Sequence, residues 1–259
     1  MLPVLFLAHG SPMIAIEQSE YGTFLDHLIE RIGRPRAVVV FSAHFESTVQ
    51  VVSAADRFST IYDFGGFPDA LYQIVYPAPG ARTLAAEIGK RLDAKSIPWG
   101  AESQRGLDHG AWTLLKRLLP AADVPVVEMS VNQRLAPDEQ FRVGQALAGL
   151  RDDGVLIVGS GVTVHNFQLL SPQVDPGVVG QVRAFEAWLQ ERLKAWDVPA
   201  LFAYASQAPG AQLAVPPRGR EHFAPLFYVM GAASEPASVE VLHESWLWNV
   251  MTNTAYALH

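Results

Sequence analysis

No cysteine occurs in the 259 residues, which rules out disulfides and thiolate metal ligands and leaves His, Asp and Glu as the strong coordinating side chains. The same absence matches a reducing compartment. No apolar run approaches the roughly 20 residues that a membrane span requires, and the apolar start Met1 to Ala8 lacks a basic leader and is cut short by His9-Gly10-Ser11-Pro12. It is therefore not read as a signal peptide, and the chain is expected to be cytoplasmic. Positive charge is scarce: 19 Lys and Arg stand against 26 Asp and Glu, a net charge of −7, and the basic residues are scattered. Neither nucleic acid nor a membrane surface is an expected partner. Internal repeats and low-complexity linkers are also missing, so residues 1–259 are read as one domain.

What is present is ample material for a core, 49% hydrophobic residues with mean hydropathy +0.14. Short β-branched runs alternate with segments of helical period, the pattern of an α/β fold with a largely parallel central sheet flanked by helices. Tyr21, Phe24, Leu25, Leu28, Ile29 and Ile32 form one apolar stripe, ended by Gly33 and Pro35. Residues 81–93, 111–119, 138–150 and 178–196 also read as helices, and Val124 to Val131 and Gly154 to Val158 as strands. From Leu201 onward the chain is richer in strand signals, including Leu226 to Met230 and a run near Ser238 to Trp246, so a more β-rich C-terminal part is expected.

The chemistry lies in histidines placed where open α/β sheets bind ligands, outside the carboxyl ends of strands. His9 closes Pro3 to Ala8, His44 closes Ala37 to Ala43, His165 follows Val155 to Val158 and a turn read at Gly159-Ser160-Gly161, and His109 precedes a helical pattern. His222 stands before what reads as another strand, beside Glu221, which is equally a ligand, a partner behind a ligand or a surface charge. A lone histidine at a strand end is more often a hydrogen-bonded structural residue. The case for a site rests on their joint occurrence, because imidazoles converging from separate strands suggest a metal. His27 falls off the apolar stripe of its helix and reads as solvated, while His243 and the terminal His259 are placed outside the site. Arg218 and Arg220, near His222, are candidates for a carboxylate clamp or for solvated loop residues.

Ser53 to Gly80 has little regular period but much aromatic and turn chemistry. A loop of that length in a compact domain is usually functional or disordered, and its aromatic content speaks against disorder. It either walls a pocket for a flat ligand or is pinned to the surface by its own rings. Tyr62, Phe64 and Phe67 are the residues expected to meet such a ligand, with Gly65-Gly66 supplying backbone freedom.

Six segments, in order, carry a resemblance: Ala8-His9-Gly10-Ser11-Pro12, Ser42-Ala43-His44-Phe45-Glu46-Ser47, Tyr62-Asp63-Phe64-Gly65-Gly66-Phe67-Pro68, Gly106-Leu107-Asp108-His109-Gly110-Ala111-Trp112, Gly159-Ser160-Gly161 through His165-Asn166, and Glu221-His222-Phe223-Ala224-Pro225-Leu226. Together they resemble the DODA-type extradiol aromatic ring-opening dioxygenases, class III enzymes similar to the catalytic subunit of protocatechuate 4,5-dioxygenase, over nearly the whole chain. The resemblance implies His9, His44 and His222 as metal ligands, with His165 as proton acceptor and His109 as a hydrogen-bond donor to oxygen. It also implies a catechol-type substrate, DOPA-like in some members, cleaved with O₂ to a muconic semialdehyde. Fe(II) is the implied metal for ring cleavage and Zn²⁺ the one implied on isolation. Three neutral imidazoles accept either ion. A zinc-dependent hydrolase and a non-catalytic binding module on the same fold are the competing readings.

Overall fold

A computed structural model describes residues 1–171 and 173–259. Its strands are β1 (Val4–Ala8), β2 (Ala37–Glu46), β3 (Gln50–Ser53), β4 (Trp99–Glu102), β5 (Val126–Val131), β6 (Val155–Gly161), β7 (Val239–Leu247) and β8 (Met251–Leu258). The helices are α1 (Glu20–Ile32), α2 (Asp69–Tyr72), α3 (Arg82–Ala94), α4 (His109–Leu118), α5 (Pro137–Leu147), α6 (Pro176–Lys194), α7 (Val198–Phe202), α8 (Tyr204–Gln207), α9 (Ala211–Ala214) and α10 (Pro225–Ala232). All eight strands join one sheet in the order β4-β3-β5-β2-β6-β1-β8-β7. The central strands β5-β2-β6-β1 run parallel, and the C-terminal hairpin β7-β8 adds antiparallel to β1.

Alternation along the buried strands divides the core. Val4 and Phe6 of β1, Val39 and Phe41 of β2 and Ile157 of β6 face α3, α5, α6 and α10, while Leu5, Leu7, Val38, Val40, Leu156 and Val158 face α1 and α4. Each such side chain, fully removed from water, contributes about 1.5–3 kcal/mol, far more than any strand propensity, so burial on both faces fixes the register. No helix among the described residues is long and apolar enough to cross a membrane.

The expected helices and the parallel core are present, with boundaries shifted by a few residues, and the C-terminal hairpin gives the expected β-rich end. Three readings need correction. Leu226 to Met230 is not a strand but lies in α10, buried all round between α5 and the sheet. A short apolar run does not separate a buried strand from a buried helix by period, and Pro225 at the first helical turn was the signal that did. His222 accordingly precedes a helix. Gly159-Ser160-Gly161 is not a turn but the end of β6, paired with Phe6, Leu7 and Ala8 of β1. Its glycines serve packing: a Cβ at Gly161 would stand 2.2 Å from the His222 carbonyl oxygen, the acceptor of the Val162 amide at 2.8 Å.

Strands β3, β4 and β8 were not anticipated. β8 is buried along its whole length, and its Thr252, Asn253 and Thr254 mask it in a hydropathy reading. Thr254 and Tyr256 donate to the buried Glu186 of α6 at 3.1 and 2.6 Å, and Thr163 donates to the same carboxyl at 2.6 Å, so these polar groups are satisfied internally.

Gly161→Ala is expected to destabilise the fold by about 1–3 kcal/mol, because the added methyl meets backbone rather than a movable side chain. Chemical denaturation would show a lower midpoint at unchanged slope. An unchanged midpoint would mean that the segment carrying His222 is free to move away from β6.

Candidate metal centre

Five histidines, His9, His44, His109, His165 and His222, reach one place from five chain segments. His9 directly follows β1, and its amide donates to Gly161 at 3.2 Å. His44 sits near the end of β2, where the pairing with β5 shifts register between Phe41 and Glu46. His109 is the first residue of α4. Gly110 lets that helix start close against β2, since a Cβ there would stand 2.8 Å from Ser42 Oγ and 3.1 Å from His44 Cδ2. His165 is anchored by its amide to Ala214 at 3.0 Å, and His222 precedes α10.

Three of the rings turn one nitrogen toward a common point. His44 Nε2 lies 3.1 Å from His9 Nε2 and 3.3 Å from His222 Nε2, and the candidate donor atoms of all three fall within 4.8 Å of one another. Donors bonded at about 2.1 Å to one ion stand about 3.0 Å apart at a right angle and about 3.4 Å apart at the tetrahedral angle. The observed separations fall in that interval.

The opposite edges of the rings decide which nitrogen carries the proton. Ser160 Oγ donates to the Gly110 carbonyl at 2.6 Å, so at 2.9 Å from His9 Nδ1 it accepts, and His9 keeps its Nε2 lone pair free. His222 Nδ1 faces Glu221 Oε1 at 3.0 Å, with the same consequence. Glu221 is thus behind the ligand edge, one of the three roles left open by sequence. Burial holds the His9 and His222 rings well below the usual imidazole range and lowers His44 to about 4, reinforced in each case by neighbouring histidines. Neutral rings with one nitrogen free are the state in which imidazole binds metal.

Asp63 is the residue that sequence reasoning missed. Its Oδ1 accepts the His109 amide at 2.9 Å and lies 3.0 Å from His109 Nδ1, off the line of a good hydrogen bond, while Oδ2 is 3.4 Å from His44 Nδ1. Burial works to raise its pKa, but hydrogen bonding and charge from His109, with a smaller contribution from His44, outweigh burial and bring it down to about 2. The available signal was its place one residue after Tyr62 in an aromatic loop.

A second frame lies behind. Asp108 caps α4, takes a 2.6 Å bond from Ser42 Oγ and a 3.0 Å bond from Arg105, and Arg105 also donates to the His44 carbonyl at 3.1 Å. Burial, aided by Asp108, pushes the adjacent Glu128 carboxyl well up.

The rings open into a cavity of about 230 Å³ lined by His44, His109, His165 and His222, by Asp63, Phe64 and Phe67, and by Pro12, Phe167, Trp248 and Met251 among others. His165 stacks on His222 at 3.7 Å with the planes 13° apart, and burial lowers its pKa to about 3, reinforced by His222. Phe64 and Phe67 line the cavity. Tyr62 stands behind them, its hydroxyl donating to Ile74 at 2.7 Å and its ring edge-on to Phe64 and Trp112. The loop is thus both pinned by its own rings and part of the wall. His27 is exposed beside Glu30, His243 packs on Tyr21 and Phe24 in β7, and His259 is the exposed terminus. Arg218 and Arg220 do not reach the cavity; Arg220 lines a separate hollow with Phe202 and Phe223, which removes the clamp suggested for them.

Residues 3–259 match the family described as the catalytic LigB subunit of aromatic ring-opening dioxygenase. The chain belongs to this LigB family. It is 41% identical over 257 residues to a 4,5-DOPA dioxygenase extradiol of Beta vulgaris, covering 97% of this chain and 94% of that protein. A protein of the same name from Escherichia coli K12 is 36% identical over 93% of this chain and 89% of its own length. Among solved structures, an uncharacterized protein of Escherichia coli K12 superposes with a TM-score of 0.82 at 29% identity over the whole of both chains.

Two predictions follow from these LigB-family contacts. Asp63→Asn keeps an acceptor for the His109 amide but removes the charge behind two rings, and chelator competition should show metal binding weakened about 10- to 100-fold. Unchanged affinity would reduce Asp63 to a backbone anchor. The metal-free protein should also lose stability in acid. Its buried histidines have folded pKa values below the unfolded value of 6.5, so the unfolded chain binds more protons and stability falls as pH drops from about 6.5 toward 4. Each histidine contributes up to about 1.4 kcal/mol per pH unit inside its own window. Asp63 acts only below its unfolded 3.8. A melting temperature flat between pH 7 and 4.5 would contradict this.

Proposed function

We propose that this LigB-family chain is a metal-dependent extradiol dioxygenase, a single catalytic domain over residues 1–259 that cleaves a catechol-type ring with O₂ beside the diol to a muconic semialdehyde. The observation that carries the reading is the convergence of three imidazole Nε2 atoms, from His9, His44 and His222, beside an aromatic-walled cavity that the last two rings line. His9, His44 and His222 would hold one divalent ion. A redox-active non-haem ion such as Fe(II) supplies the electron path between ring and O₂, whereas Zn²⁺ fits the same donors without it.

The remaining residues have separable tasks under this reading. His165, which lines the cavity stacked on His222, accepts a hydroxyl proton of the diol and returns it as the ring opens. His109, held beside Asp63 by its backbone amide, offers its ring as a hydrogen-bond donor to the oxygen. Phe64 and Phe67 press on the substrate face, and Tyr62 supports them from behind. A DOPA-like catechol enters the proposal through the names of the relatives. No nucleic acid or membrane partner is invoked, and the cytoplasm is the proposed compartment.

Anaerobic loading with Fe(II), followed by a panel of catechols and O₂, is expected to give oxygen uptake with a yellow semialdehyde product. Metal uptake without oxygen consumption on any catechol would overturn the dioxygenase reading. His9→Ala, His44→Ala and His222→Ala should abolish stoichiometric metal uptake, whereas His165→Ala should keep the metal and lose about 10²–10⁴-fold in turnover. Equal metal loss in all four variants would move His165 to the ligand set.

A further inference from the structure

We infer that a second hollow, between α5, α8 and the start of α10, binds a small monocarboxylate through Arg220 and the hydroxyl of Tyr204. Its volume is about 90 Å³, and it shares no lining residue with the histidine cavity. Phe202, Phe223 and Phe227 supply apolar lining, while Arg220, Tyr204 and Gln133 are among its polar groups.

The first observation is an orphan hydroxyl. Tyr204 is only 5% exposed, its ring fixed against Phe223 at 4.7 Å and Phe227 at 5.8 Å. The hydroxyls of Tyr62, Tyr76, Tyr228 and Tyr256 all bond to protein groups, whereas that of Tyr204 has no such partner among the described residues. A tyrosine so deeply buried normally gives its hydroxyl a partner. The second observation is a free guanidinium. The backbone of Arg220 is fixed, its amide on Gln133 Oε1 at 3.3 Å and its carbonyl accepting the amides of Phe223 and Ala224 at 3.1 and 2.9 Å. Its exposed side chain makes neither hydrogen bond nor ion pair among the described residues. One exposed arginine would mean little. This one lines the same hollow as the orphan hydroxyl, near enough that its charge works against the rise that burial imposes on the Tyr204 pKa.

Charge and size select the ligand. No carboxylate lines the hollow, and those on neighbouring segments are turned to other partners: Glu221 to His222 Nδ1 at 3.0 Å, Glu139 to the Ala136 amide at 2.8 Å and Glu46 to the Gln133 side chain. A guanidinium and a phenol hydroxyl both donate, so the complement is a group with two accepting oxygens and a negative charge. The volume equals about three water molecules at roughly 30 Å³ each, enough for a carboxylate with a short alkyl tail. Phosphate would set its other oxygens against the phenylalanines, which a methyl or ethyl group matches instead. The site stands independently of the reading given to the histidines.

Propionate is the probe. Ligand-observed NMR on the zinc-loaded protein should show saturable binding in the low-millimolar range, with propionamide weaker by about tenfold or more because it lacks the charge. Arg220→Gln, at an exposed position, should weaken propionate by about tenfold, and Tyr204→Phe, which keeps the packed ring, by about threefold. Added catechol should leave propionate bound. Propionamide matching propionate, full affinity in Arg220→Gln, or no saturation up to about 50 mM would overturn the site. Displacement by catechol would do the same, since it would put the acid on the metal instead.

Discussion

Two contacts between imidazole nitrogens, 3.1 and 3.3 Å long, set the terms for the rest of the molecule. His9 and His222 have their protons fixed on Nδ1 by Ser160 and Glu221, so both turn lone pairs toward His44 Nε2. If His44 is protonated there, it satisfies one neighbour and leaves the other; if it is protonated at Nδ1, toward Asp63, three lone pairs face one another. Neither arrangement pairs every nitrogen within the protein, whereas a cation at that point would meet all three lone pairs. A protein that builds such a cluster commits its surroundings to keeping the rings neutral, oriented and close.

The fold meets that demand by placing these histidines on elements that cannot drift independently. β1 and β2 both pair with β6, so His9 and His44 are fixed relative to one another by ladder hydrogen bonds, and the third ring is tied in by the Val162 amide on the His222 carbonyl. Close backbone approach at Gly161 and Gly110 is what brings the α10 and α4 segments to the strand ends. Ser42, Arg105 and Asp108 then couple the end of β2 to the start of α4, which places His44 and His109 in register with the same carboxylate. The faces proposed to bind metal and to handle protons are therefore built from one rigid frame.

What could be read from the chain follows from how local each signal is. Parallel strands such as Val38 to Phe41 and Val155 to Val158 are apolar on both faces and announce themselves, and the histidines at their ends inherit a meaning from that position. β8 hides because its threonines and asparagine are buried through partners distant in sequence, Glu186 and Thr163 among them. α10 misleads because a short helix buried all round has no polar face to reveal its period. Asp63 was quoted among the motif residues without being given a role, since a carboxylate acting through two histidines from different elements leaves no spacing signature.

The placement of carboxylates suits the proposed binding of an ion by three neutral ligands. A divalent ion held only by imidazoles keeps its full charge, and the acidic groups that could offset it, Asp63 and Glu221, stand one ring away, each facing an Nδ1. That separation raises ligand basicity through the ring without occupying a coordination position. Under the proposed reading, the charge of such an ion would be met by an incoming diol instead of by the protein.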